Sequence, residues 1–138
     1  SSIINLEDIN LPLFTASTFK NNKSELFDII SEMTAKFSDS YGLIFCAPEY
    51  NGSIPPIVTN LIAWISVSTE HWRDAFDKKV SLIASSSGGS ANKFNIAMKN
   101  QLEHLGSVVM PRSICISSSN KVNRESTAKI LKHCSKLL

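Results

Sequence analysis

The stretch that decides the fold is YGLIFCAPEYNGSIPPIVTNLIAWIS, Tyr41 to Ser66. Tyr41 to Ala47 is a continuous apolar run, too short for a helix and apolar enough for a strand buried on both faces, which implies a parallel sheet. The run stops at PEYNGS, and from Ile57 to Ser66 the apolar residues recur with helical spacing. Strand, polar turn and helix thus follow one another without a linker.

Working outward, the pattern repeats. Val80 to Ala84 (VSLIA) reads as another strand, SSSGGSAN follows it, and a helix is expected over about Lys93 to His104, ended by Gly106 as its C′ residue. Val108 and Val109, then Ile114 to Ile116, predict a last strand region interrupted by Pro111, and Glu125 to Leu137 predicts a closing helix. Upstream, Ser2 to Leu6 reads as a short strand and EDINLPLF as irregular, because Pro12 blocks regular continuation. Ser24 offers an N-cap to a helix carrying Leu26, Ile29, Ile30, Met33 and Phe37.

Alternating strands and helices with short connections argue for an α/β fold with an open parallel sheet. Such sheets bind ligands beyond the carboxyl ends of their strands. PEYNGS and SSSGGS both sit at that end, after consecutive strands, and together form a candidate site.

The 138 residues suit one domain, 1–138, and the 43% hydrophobic content is enough for an ordinary core. Fourteen basic and twelve acidic residues give a formal charge of +2, and the basic ones are dispersed, so no nucleic-acid or membrane-surface footprint emerges. No apolar run approaches the roughly 18–20 residues that span a bilayer. Cys46, Cys115 and Cys134 lack C-x-x-C spacing and read as reduced, structural thiols of a cytoplasmic protein. His71, His104 and His133 are scattered and propose no metal site, and Ser85 to Ser87 contain no G-x-S-x-G nucleophile elbow. Trp72 has two readings, a cover over the site or a neighbouring subunit and a plain packing residue.

The chemistry of PEYNGS has two readings as well. In one, Asn51-Gly52 is a tight turn and Glu49 a carboxylate at a helix terminus. In the other, Asn51 and Gly52 adopt turn conformations that aim several backbone N–H groups together, which suits a flat, acceptor-rich ring such as a flavin, with Tyr50 as an aromatic wall and Ser53 as a hydroxyl. SSSGGS alone reads first as a flexible connector with a helix start.

The residues Pro48, Glu49, Tyr50, Asn51, Gly52, Ser53, Ile54, Pro55, Asn60, Ile62 and Trp64 resemble the signature P-E-Y-N-G-S-I-P-G-x-L-K-N-A-I-D-W of the NAD(P)H-dependent FMN reductases, which include quinone, azo-dye and chromate reductases. The similarity continues through VSLIASSSGG and LEHLGSVVMP. The resemblance implies a flavodoxin-like open parallel sheet with helices on both faces. It also implies FMN as cofactor and NADPH or NADH as co-substrate. The electron acceptor would be a quinone, an azo compound, free flavin or a metal oxyanion, and the assembly a homodimer or homotetramer. By resemblance Pro48 to Ser53 hold the isoalloxazine ring, Ser86, Ser87, Gly88 and Gly89 line the second loop, and Trp64 packs structurally.

The match departs from the family where its first strand, phosphate-binding loop and first helix are expected. Ser2 to Leu6 aligns with the family's second strand, which predicts a sheet with a gap of roughly two strand spacings and a chain truncated at its N-terminus. Pro56, Thr59 and Ala63 replace a glycine, a lysine and an aspartate, Ala91-Asn92 replaces a Gly-Gly pair, and Phe94 stands where arginine is frequent. A rival reading is therefore a non-enzymatic flavin-binding or redox-responsive interaction module. An electron-carrier flavodoxin is disfavoured by the slightly basic charge.

Overall fold

The computed structural model describes residues 2–138, the side chain of Lys23 excepted. Three parallel rows of strand make the sheet. Its first strand, β1 (Gly42–Pro48), pairs with β2 (Val80–Ser87) without a slip from Gly42 opposite Val80 to Pro48 opposite Ser86. The third row is split: β3 (Val108–Val109) pairs with the start of β2, and β4 (Ile114–Ser117) pairs with its end. Pro111, which cannot donate to a ladder, falls in the break.

Among the described residues four α-helices accompany the sheet. The first, α1 (Ala16–Ser38), starts earlier than the sequence suggests, because Thr15 caps it by accepting from Thr18 N–H (2.9 Å) and Ser24 lies inside it. Thr15 prevails because Pro12 releases the chain just upstream and nothing in STFKNNKS forbids helix. Pro56 opens α2 (Pro56–Ile65) at its first position, where a missing N–H costs nothing. The others are α3 (Asn92–His104) and α4 (Arg124–Ser135). Gly106 follows α3 at φ 95°, as a C′ residue requires.

The larger core lies where α1, α2 and α3 cover one sheet face. Phe37, Ile62, Ile65, Phe76, Ile83, Phe94 and Met98 are buried there, with Leu43, Phe45 and Ala47 of β1 partly buried against them. On the opposite face α4 contributes Ile130 and Cys134 to a smaller cluster with Val80, Leu82 and Met110.

Beyond the start of α1, two expectations are corrected. Ser2 to Leu6 is not a strand: residues 2–5 are irregular and Leu6–Asp8 is a single 3-10 turn. A strand needs a paired neighbour, and among the described residues β1 pairs with β2 alone. The segment packs Leu6, Ile9 and Leu11 against the larger core instead, so the sheet has no internal gap. Asn60 and Trp64 of α2 hold it there. The Phe14 N–H donates to Asn60 Oδ1 (2.7 Å), while Asn60 Nδ2 and Trp64 Nε1 both donate to the Pro12 carbonyl (3.0 and 2.8 Å). The second correction is that β2 runs on through Ser85, Ser86 and Ser87. Serine has modest strand propensity, but a central strand gains ladder bonds on both sides, which outweighs it.

Candidate functional site

Because β1 and β2 end level, the chain leaves both strands side by side. The Glu49 N–H donates to the Ser86 carbonyl (2.8 Å), so the ladder extends one step into the first loop. Tyr50 and Ser53 then exchange two backbone hydrogen bonds (3.2 and 2.9 Å) around Asn51 and Gly52, whose φ angles are 49° and 70°. Positive φ at both central positions is the type I′ turn, which favours Asn-Gly. Asn51 and Gly52 make no backbone hydrogen bond to the described residues, which leaves two amides available at the tip. The turn reading and the amide-presenting reading of PEYNGS therefore describe one conformation.

Exposure agrees with a site open to solvent. Pro48, Tyr50 (56%), Asn51 and Ser53 are exposed, and Glu49 and Gly52 are half-buried. A Cβ on Gly52 would stand 2.9 Å from Lys93 Cδ and 3.6 Å from Lys93 Nζ, so the first turn of α3 leans over the glycine. Lys93 is the cation that the local geometry adds to the loop, and sequence reading passed over it because it looked like an ordinary exposed helix residue.

The second group differs from expectation in its local form. Ser86 and Ser87 are the last residues of β2, and only Gly88 and Gly89 belong to the connection. Nothing stands within 4 Å of a Cβ placed on Gly88, and one on Gly89 would meet only Ser87 Oγ at 3.7 Å. Neither glycine is demanded by the backbone; what they leave is open surface beside the first loop. The Gly89 N–H donates to Ser87 Oγ (3.1 Å) and shapes the turn.

A third loop, unremarked in the sequence, is tied to the second. After β4, Ser117 Oγ accepts from Asn120 N–H (3.0 Å), and Ser118 Oγ donates to the Gly88 carbonyl (3.1 Å). The run SSSN after an apolar strand resembled the run after β2 and was the available signal. Trp72 is part of none of this: it packs edge-on against Phe76 with the Arg73 guanidinium 4.7 Å from its ring centre, as the packing reading expects.

Two cavities, of about 190 and 180 Å³, have linings that include none of the residues of PEYNGS or SSSGGS, although Asn120 of the third loop lines the second. One is between Leu6, Ile9, Leu11 and α2, the other between β4 and the start of α4. The exposure of both loops and the empty space around Gly88 and Gly89 make the candidate site an open surface. Among the described residues no three His, Cys, Asp or Glu side chains gather as metal ligands, and no helix is long and apolar enough to cross a membrane.

The sequence matches the NADPH-dependent FMN reductases over residues 1–121. The chain belongs to that family. The match contains every candidate residue of both loops. An uncharacterized protein of Mycoplasma pneumoniae, the MG342 homolog, is 28% identical over 80 residues, which are 58% of this chain and 46% of that protein; the chain therefore matches about half the length of this curated relative. FerB of Paracoccus denitrificans, described as a flavoenzyme NAD(P)H:(acceptor) oxidoreductase, superposes with a TM-score of 0.65 at 21% identity over 93% of this chain and 73% of its own. An oxidoreductase of Corynebacterium diphtheriae does so with a TM-score of 0.56 at 18% identity over 88% and 67%. These structural likenesses establish the flavodoxin-like α/β fold.

The donor set is compatible with a flat ring that carries acceptor atoms on its edge. It comprises two amides at the tip and the hydroxyl of Ser86, beside the open surface over Gly88 and Gly89.

Proposed function

We propose that this chain carries the flavin-ring site of an NAD(P)H-dependent FMN reductase, in which NADH or NADPH gives a hydride and a small acceptor leaves with two electrons. The acceptor class is a quinone, an azo compound, free flavin or a metal oxyanion. The observation that carries the reading is the type I′ turn at Asn51-Gly52, which presents unpaired amides beside the second loop in a family-matched stretch.

FMN, when bound, supplies the redox chemistry. The chain's residues bind and orient: Asn51 and Gly52 offer N–H donors, Tyr50 an aromatic side wall, and Gly88 and Gly89 a surface without side chains. An open surface suits a ring that two substrates approach in turn, so ping-pong kinetics are expected. By family analogy the working form is a cytoplasmic homodimer or homotetramer, bound to neither nucleic acid nor membrane.

The test is to mix the chain with FMN, desalt it, and record the visible spectrum before and after NADPH and then a quinone. Retained flavin absorption, bleached by NADPH and restored by the quinone, supports the reductase. Retained flavin with no turnover above free FMN favours the non-enzymatic binding module. A colourless protein overturns the reading for this chain.

A further inference from the structure

A helix begins with amides that have no partner within it, and a side chain at the N-cap normally meets one of them. Thr15 does so for α1 and Asn123 for α4. The N-cap of α3 is Ala91, at φ 59°, with no side chain able to do this. Yet α3 is not left bare: the Phe94 N–H donates to Glu49 Oε2 (3.1 Å), across 45 residues of sequence. The other carboxylate oxygen, Oε1, accepts from Ser87 Oγ (3.2 Å), which in turn accepts from the Gly89 N–H.

We propose that Glu49 is a positioning residue that caps α3 from the first loop and so fixes the spacing between the two halves of the site. Both of its oxygens are engaged by the protein, and a carboxylate is well placed at the positive end of a helix. The chain of contacts runs from Glu49 to Ser87 to Gly89 on one side and to Phe94 on the other, while Lys93 leans over Gly52. Moving one loop therefore moves the other. The consequence for ligand binding rests on the flavin reading above; the cap itself does not.

Two variants separate reach from charge. Glu49→Gln keeps the length and an acceptor oxygen for Phe94, and loses the charge. Glu49→Asp keeps the charge and falls one methylene short. For each, hydrogen exchange of the Phe94 amide in the ligand-free chain and the FMN dissociation constant from quenching of flavin fluorescence are measured. Glu49→Asp is expected to speed Phe94 exchange and weaken FMN binding by about tenfold, the size of a lost cap, while Glu49→Gln is expected to change both by less than Glu49→Asp does. The proposal is overturned if the order is reversed, since charge toward the ligand would then be the role, or if Phe94 exchange is indifferent to both changes. If the parent chain binds no FMN, the flavin reading fails separately, and Phe94 exchange alone decides the cap.

Discussion

The two faces of the sheet are unlike. Beneath α1, α2 and α3, the side chains of Phe45 and its neighbour Ile83 meet Phe37, Phe76 and Phe94 in the larger core. On the other face Leu82 is fully buried under α4, but Ile44, its partner on β1, is 57% exposed, and Cys46 beyond it is exposed too. The cover ends near Gly42, where a Cβ would collide with Leu138 and with the Val80 carbonyl. One strand can thus be apolar on both sides and buried on only one. Hydrophobic patterning records the environment a strand is suited to, while coverage depends on which helices reach it.

The comparison breaks most readily on the covered face. Phe76→Ala removes a fully buried ring that packs 5.7 Å from Phe37, and a loss of about 3–5 kcal/mol is expected in denaturant unfolding. Leu82→Ala, under α4, is expected to cost about 2–5 kcal/mol. Ile44→Ala, on the same face and directly beside Leu82, is expected to change stability by no more than about 0.5–1 kcal/mol. An Ile44 cost equal to that of Leu82 would show that the face is closed in solution.

Thiol chemistry sharpens the contrast further. Cys46 is expected to react with a maleimide in the native state, and Cys134 only in denaturant. Burial also raises the Cys134 thiol above its ordinary 9.0. The folded chain then holds a proton that the unfolded chain releases, so this contribution is whole below pH about 9 and is lost as pH rises through the raised value. The smallest effect expected is that Cys134→Ala flattens the decline of stability in that alkaline window, measured by urea midpoints at successive pH values.

Much of the fold was legible where a local signal and its tertiary setting agree. Tyr41 to Ala47, the Asn51-Gly52 turn and the helical spacing from Ile57 each announce themselves by a local signal that the tertiary setting supports. The strand expected at Ser2 to Leu6 failed because β propensity says nothing about whether a partner strand is present. The Thr15 cap was hidden by a polar first half of α1, whose buried stripe begins only at Ile30. The site was legible as two loops and illegible as a linked unit. Glu49, Ser87 and Phe94 come together through parallel register and helix placement, and the bond that joins Ser118 to Gly88 spans 30 residues. No spacing rule within one segment reports such contacts.

The Trp64 indole, fully buried, with Phe14 edge-on at 5.1 Å and its N–H on the Pro12 carbonyl, has an optical consequence. Its emission is sensitive to whether the segment around Pro12 and Phe14 stays on α2, whereas Trp72, half-buried beneath a guanidinium, answers to the distant Phe76 region. With Trp72 replaced by phenylalanine, the chain becomes a one-colour gauge in which peeling of residues 2–14 shifts the fluorescence red before the sheet itself gives way.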